Sequence, residues 1–288
     1  MTIFLILWLK NEYAWHLMKN YNYGIPALIE QGEIDNLYMG SSMFRQALSI
    51  DVLEKESKET HYILTYNGNQ PFMEYIELEY LLKKGVKIKR LYLDMYVYTL
   101  ASDPQISDEK IFSEIDIVTK KQVEALIEHI QPADRWSMWV TSNNEQLLMM
   151  FITGTLINNT FRNGVTLVEC IGMDIGAYKK LCPPMEPDSI NSLQISAIKN
   201  IINICSNNDI ELIFLDTPKS HAVCDSANYR NIMKEYSDIL EGYNVKHIVQ
   251  GVDYDFDTDN SKFFMDAVHL SSEGRKVFTE ELINEHLH

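Results

Sequence analysis

The chain has 288 residues, of which 46% are hydrophobic, so it can bury a large core as one domain or as two smaller ones. Acidic residues outnumber basic residues by 41 to 25, and a formal net charge of −16 repels a polyphosphate backbone, so nucleic acid is not an expected partner. The four cysteines form no Cys-x-x-Cys pair and have no metal-finger spacing, so no metal site is predicted; they are interpreted as buried thiols, with a disulfide as the alternative if the protein is exported.

The N-terminal segment, residues 1–35, contains the run IFLILWL at positions 3–9. A bilayer span needs about 20 residues, and the run lacks the basic region and the small-residue cleavage site of a signal peptide. Two interpretations stay open. The run is an edge strand or the start of a packed helix, or it is the trailing end of a membrane anchor that begins before this sequence. The second would let the protein associate with a membrane through its N-terminus.

Strand-like and helix-like segments alternate along the rest of the chain. Short apolar runs predict strands at 36–39, 61–66, 89–97, 211–216 and 245–249, and helical periodicity predicts helices at 73–84, 188–206, 227–240 and 273–287. This alternation is typical of an α/β fold, here a three-layer sandwich in which helices cover both faces of a mainly parallel five-stranded sheet.

Residues 108–182 interrupt the alternation and are interpreted as a helical insertion within a single domain. Trp136, Trp139, Met149 and Met150 lie in this block. Aromatic and methionine side chains at such spacing most often belong to a core. The alternative is that they line a substrate cleft.

The stretch NLYMGSSMFRQAL, residues 36–48, joins the first predicted strand to a helix-like segment through Gly-Ser-Ser. Glycine and small hydroxyl residues permit a tight strand-to-helix turn. One serine could simply cap the helix, which is a common role for serine. The alternative is that the turn exposes a nucleophilic serine, either Ser41 or Ser42.

Two other stretches could complete such a site. In FFMDAVHLSSEG, residues 263–274, Asp266 stands three residues before His269, so its carboxylate could hold Nδ1 of the imidazole and leave Nε2 to accept a hydroxyl proton. In YNGNQP, residues 66–71, the alternatives are a plain Asn-Gly turn and an oxyanion site. There the backbone N–H of Gly68 would act with the N–H of Ser42, and Asn67 or Asn69 could add a side-chain donor.

These stretches, in this order, resemble the blocks of the SGNH (GDSL-like) hydrolase family over residues 36–287. MGSSMF is similar to the first block and makes Ser42 the nucleophile, NGNQP is similar to the second and supplies Gly68, and DAVHLSSEG is similar to the last and supplies Asp266 and His269. The resemblance implies a flavodoxin-like fold spanning 1–288 and a Ser-His-Asp triad that needs no cofactor. Its oxyanion hole would comprise Ser42, Gly68 and Asn69.

The resemblance also implies a function, a serine esterase or O-acyltransferase. One departure concerns the third block, Gly-x-Asn-Asp, because Tyr96 and Tyr98 stand where its Gly and Asn would be. That pattern is similar to divergent cell-envelope branches of the family, which act on O-acyl esters such as O-acetyl groups of carbohydrates. It implies a small-molecule or carbohydrate ester as substrate and favours the cell envelope over the cytoplasm. The alternative is a non-catalytic binding or scaffold module that kept the fold.

Overall fold

The computed structural model describes residues 24–66, 68–102 and 189–286. The apolar run at 3–9 and the predicted insertion at 108–182, with its tryptophans and methionines, lie outside the described residues. Within the described ranges, none of the helices has the length and apolar character that crossing a bilayer requires.

The sheet has five strands, all parallel, in the order β2-β1-β3-β4-β5, which confirms the predicted sheet. The strands are β1 (Glu33–Gly40), β2 (His61–Thr65), β3 (Lys87–Asp94), β4 (Glu211–Leu215) and β5 (Lys246–Ile248). Leu37 in the interior strand β1 pairs with Tyr62 of β2 on one side and Leu91 of β3 on the other. A parallel sheet covered on both faces needs such continuous apolar runs, and most residues of β1 to β4 are buried.

Helices flank the sheet in a flavodoxin-like three-layer sandwich. The α-helices are α1 (Gly24–Gln31), α2 (Ser42–Ala47), α3 (Ile50–Glu56), α4 (Pro71–Lys83), α5 (Val97–Ala101), α6 (Ser192–Asn207), α7 (His221–Cys224), α8 (Ala227–Gly242) and α9 (Ser272–His286). A 3₁₀ turn, Ser261–Phe263, precedes α9. Helix α4 packs on α6, and α9 packs on α2 and α3.

Most predicted boundaries differ from the structure by one to four residues, and two of these differences have a local reason. Helix α6 begins at Ser192 instead of 188, because the Asn191 side chain caps it by accepting a hydrogen bond from the N–H of Leu193 at 2.9 Å. Strand β3 ends at Asp94 instead of 97, because the chain turns there into α5.

The carboxyl ends of β1 and β3 approach each other closely at one edge of the sheet. A Cβ atom at Gly40, the last residue of β1, would stand 2.6 Å from Cβ of Asp94, the last residue of β3. No real Cβ tolerates that distance. The glycine of the Gly-Ser-Ser stretch is therefore required by packing, and this edge is where open parallel sheets place their sites.

Candidate active site

The two serines of the turn after β1 have different environments. Ser41 is the N-cap of α2: its backbone is extended and its Oγ accepts a hydrogen bond from the N–H of Met43 at 3.2 Å. Ser41 is also 2% exposed and donates its hydroxyl to Oδ2 of Asp94 at 2.6 Å. Ser42 is the first residue of α2 and is half-buried. Ser41 therefore caps the helix, and its neighbour Ser42 is the more accessible of the two serines.

Ser42 and His269 meet at this edge. Oγ of Ser42 lies 2.8 Å from Nε2 of His269, and Nδ1 of His269 lies 2.8 Å from Oδ2 of Asp266. The other carboxylate oxygen, Oδ1 of Asp266, accepts hydrogen bonds from the backbone N–H groups of Val268 and His269 at 2.9 and 2.8 Å. The structure brings Ser42, His269 and Asp266 into one continuous chain of hydrogen bonds.

The charge state of Asp266 decides which way these hydrogen bonds run. Burial raises the pKa of Asp266, but the hydrogen bond and charge of His269, together with the two backbone donors, outweigh burial and hold that pKa below its ordinary value. An ionised carboxylate only accepts hydrogen bonds, so Nδ1 of His269 carries the proton. In a neutral imidazole Nε2 is then an acceptor for the Ser42 hydroxyl.

Several backbone contacts hold the loop that carries His269. Phe264 and Leu270 form an antiparallel bridge, and the N–H of Met265 donates to the His269 carbonyl at 2.8 Å. From the loop after β4, both the N–H and the hydroxyl of Ser220 donate to the Ala267 carbonyl, at 3.0 and 2.9 Å. These hydrogen bonds fix the backbone that carries the His269 imidazole.

Helix α9 brings this loop against α2. Gly274 lies so close to Phe263 that an added Cβ would overlap the Phe263 carbonyl oxygen. Further along α9, Oγ1 of Thr279 accepts a hydrogen bond from the N–H of Ser49 at 3.0 Å, and its hydroxyl has two acceptors within reach, the carbonyls of Arg275 at 2.8 Å and Ala47 at 3.3 Å. The glycine in the SSEG stretch and this threonine together fix the distance between the helices that follow Ser42 and His269.

The predicted oxyanion residues remain a prediction. Gly68 is exposed and has φ of +63°, a conformation that favours glycine. Asn69 is 2% exposed, and its Nδ2 donates to Oε2 of Glu77 at 3.3 Å, so one of its two amide hydrogens is directed at α4. Asn67 lies outside the described residues.

Tyr96 and Tyr98, which stand in place of the third block, follow β3 at the same edge. Their rings lie 5.8 Å apart, and Tyr98 is 49% exposed. Burial chiefly raises the pKa of Tyr96, and the charges of Asp94 and Asp266 and the neighbouring Tyr98 raise it further. Tyr96 thus lies near both Asp266 of the hydrogen-bonded chain and the Asp94 that holds Ser41.

Sequence reasoning missed three buried charged residues at this edge: Asp94, Asp216 and Lys219. Asp94 was hidden because the apolar run around it predicts an uninterrupted strand to residue 97. A charged residue inside an apolar run was the available signal, since a carboxylate is rarely buried without a partner. Within the described ranges, at this edge as elsewhere, no cluster of His, Cys, Asp and Glu has an arrangement that could hold a metal ion.

No protein-family model matches the sequence, and no curated protein matches it. Among solved structures, the chain is similar to a protein described as "a putative platelet activating factor from Streptococcus pneumonia". That comparison covers 98% of this chain and 96% of the other, at 12% sequence identity and a TM-score of 0.44. Because identity and TM-score are this low, no functional argument rests on the similarity.

Proposed function

We propose that this protein is an SGNH-type serine esterase or O-acyltransferase in which Ser42 is the nucleophile, His269 the general base and acid, and Asp266 the residue that orients His269. The observation that carries the proposal is the chain of hydrogen bonds from Ser42 through both ring nitrogens of His269 to Asp266. A serine hydroxyl is a weak nucleophile until such a base is in reach.

The proposed reaction follows from the proton positions. Nε2 of His269 takes the Ser42 proton as Oγ attacks the ester carbonyl carbon, giving a tetrahedral oxyanion and an imidazolium. The imidazolium returns its proton to the leaving alcohol as the ester C–O bond breaks, which leaves the acyl group on Ser42. Water or a second hydroxyl then attacks the acyl carbon and loses its proton to Nε2. The imidazolium passes that proton to Oγ of Ser42 as the bond between Oγ and the acyl carbon breaks, which releases the product and restores Ser42. Water makes the enzyme an esterase, and an acceptor hydroxyl makes it a transferase.

The remaining parts of the proposal rest on the resemblance in the sequence. The backbone N–H groups of Ser42 and Gly68, with Asn69, would bind the oxyanion. The acyl group would be an O-acyl group such as O-acetyl on a small molecule or a carbohydrate, and the protein would act at the cell envelope, where its N-terminal segment could contact the membrane.

A second candidate function is a non-catalytic binding or scaffold module. The observation that favours it is the pair Tyr96 and Tyr98, which leaves the site without the Asn that the third block would supply. The hydrogen-bonded contact between Ser42 and His269 favours the enzyme, because a module without chemistry has no need to hold a hydroxyl against a histidine nitrogen.

Covalent labelling with a fluorophosphonate tests the proposal. The enzyme hypothesis expects one phosphonyl adduct, mapped to Ser42 by peptide mass spectrometry, and none in Ser42→Ala or in heat-unfolded protein. Ser196→Ala is the matched control, since Ser196 is an exposed serine whose hydroxyl donates only to the Ser192 carbonyl of its own helix. Absence of labelling in a folded wild-type protein would favour the scaffold instead.

A further inference from the structure

Three charged side chains are buried together beside Ser41, and we call them the buried charge cluster: Asp94, Asp216 and Lys219. They are 5%, 2% and 0% exposed. Asp94 ends β3, and the other two follow β4, its neighbour in the sheet. Charged residues are almost never this buried unless they are paired, so each needs a stated partner.

Lys219 is already matched by Asp216. Its ammonium donates to Oδ1 of Asp216 and to the carbonyl of Thr217, the latter at 2.6 Å. Asp216 also accepts hydrogen bonds from the hydroxyl of Tyr229 at 3.4 Å and the N–H of Gln250 at 3.3 Å. The cluster therefore contains two carboxylates and one ammonium, and the ion pair leaves Asp94 as the excess negative charge.

Among the described residues, the Asp94 carboxylate accepts hydrogen bonds from one residue, Ser41. Oδ2 accepts the Ser41 hydroxyl at 2.6 Å and the Ser41 N–H at 3.4 Å, while Oδ1 has no hydrogen-bond partner among the described residues. Keeping an excess buried carboxylate is costly, and such arrangements concentrate at functional sites. Here the carboxylate of Asp94 accepts both hydrogen bonds from Ser41, the residue directly before Ser42.

We propose that Asp94 is a positioning residue: its carboxylate fixes the backbone and hydroxyl of Ser41, and through Ser41 it holds the Ser42 hydroxyl against His269. This inference rests on the proposed function. Because the Ser41 hydroxyl donates its hydrogen bond to Asp94, the lone pairs of Ser41 Oγ remain free to accept the Met43 N–H, which sets the first turn of α2. An un-ionised carboxyl would hold both Ser41 donors less strongly.

The charge on Asp94 depends on its surroundings. Burial raises the pKa of Asp94 to about 6; Lys219 and the Ser41 hydrogen bonds lower it, and Asp216 raises it. The other titratable groups that sense its charge are Tyr96, which follows β3, and Tyr236 of α8, and burial raises the pKa of both. Asp94 therefore changes charge near pH 6.

The pH dependence of Ser42 labelling by the fluorophosphonate tests the inference. In the wild type two groups must lose a proton, His269 to act as base and Asp94 to hold Ser41. The logarithm of the rate should thus fall on the acid side with the slope of two protons. Asp94→Asn should slow labelling by about 10- to 100-fold at pH 8, the cost of a small misplacement of a reacting group, and it should leave a one-proton slope.

Two further variants keep the test sharp. Asp216→Asn removes the same charge from the same cluster without touching Ser41, so it should keep the Asp94 step of the pH profile, displaced to lower pH because Asp216 raises the pKa of Asp94. If Asp94 acts through Ser41, Ser41→Ala should lower the rate, and adding Asp94→Asn to it should lower the rate little further.

The outcomes are distinct. A labelled wild type whose slope and rate are unchanged by Asp94→Asn, or additive losses in the double variant, would overturn the positioning role alone. A folded wild type that is not labelled at any pH would contradict the proposed function itself and, with it, the positioning role. Circular dichroism of each variant establishes that the rates are compared among folded proteins.

Discussion

The Ser42 hydroxyl and Nε2 of His269 lie 2.8 Å apart, although 227 positions separate the two residues in the chain. Close packing of the backbone near each of the two residues makes this contact possible. Gly40 lets β1 approach β3 before the turn to Ser42, and Gly274 lets α9 begin against Phe263 after the His269 loop. A contact that depends on two such close approaches is a specific feature of the fold, and each prediction below perturbs one part of it.

Ser42→Ala and His269→Ala should each remove nearly all turnover of a short-chain ester such as p-nitrophenyl acetate. The nucleophile and its base act as one unit, so the double variant should be no slower than either single variant. The wild-type rate itself should be low, because the site lacks the Asn that the third block would supply. Initial rates measure this, with Ser196→Ala as the control. Multiplying losses in the double variant would show that the two residues act separately.

Asp266→Asn should keep the fold and lose about a thousandfold or more in kcat. The amide donates where the carboxylate accepted, so it favours the wrong tautomer of His269 and takes Nε2 away from the Ser42 hydroxyl. Steady-state kinetics with KM measured separately test this, because orientation of the base affects kcat most. His247→Ala is a suitable control, since that half-buried histidine lies on β5 and its Nδ1 forms a hydrogen bond with the Val245 carbonyl. A loss confined to KM would contradict the orienting role.

Asp94→Asn should stabilise the folded protein above about pH 6. The folded-state pKa of Asp94 is raised from 3.8 to about 6, so between these values the folded protein binds a proton that the unfolded chain has released. Stability therefore falls as pH rises through this window. About two pKa units correspond to about 3 kcal/mol in the free energy of unfolding, an order of magnitude for the expected gain.

Urea unfolding of the wild type and Asp94→Asn at several pH values measures that gain, which should vanish below about pH 4. Asp35→Asn provides a control of opposite sign. The pKa of Asp35 is lowered, first by the Thr60 backbone N–H and then by the Thr60 hydroxyl, so its carboxylate contributes stability that is lost as pH falls. A change in Asp94→Asn that is the same at every pH would show that its charge is not the cause.

Gly40→Ala and Gly274→Ala should each destabilise the fold, by about 1–3 kcal/mol as for other overpacked sites. The new methyl groups would meet Cβ of Asp94 and the carbonyl of Phe263, neither of which is the free end of a flexible side chain. Gly242→Ala is the matched control, because a Cβ there meets nothing within 4 Å. Thermal unfolding compares the three. Equal midpoints for all three would mean that the two close approaches are not constrained.

Most of the fold could be predicted because its signals are local. Strands β1 to β4 each contain a short apolar run, and each long helix shows its own periodicity and stop, as with Gly85 after α4. The order of the strands has no such signal, since it depends on which pairs bury the most surface together. The end of β3 was missed because Asp94 contacts Ser41, a residue 53 positions away, and that contact is invisible in the sequence.

The candidate site was predictable to the same extent. The three-residue spacing of Asp266 and His269 indicates that the two side chains can meet. The Gly-Ser-Ser stretch between a predicted strand and a helix-like segment indicates the turn in which Ser42 lies. Within the buried charge cluster, Asp94 has a local signal as a charged residue in an apolar run, but Lys219 has none, because lysine is normally exposed and nothing local marks it as fully buried. The oxyanion donors Gly68 and Asn69 stay a prediction, because their role depends on where a substrate oxygen would lie.

The most direct test of the central claim is to trap the acyl-enzyme. Wild-type protein is mixed with p-nitrophenyl acetate, quenched in acid within the first turnover, and its mass is measured intact and after digestion. The account predicts one acetyl group on Ser42, absent in Ser42→Ala and absent from Ser41 in every sample. An acetyl group on Ser41, or hydrolysis of the ester without acylation of either serine, would contradict it.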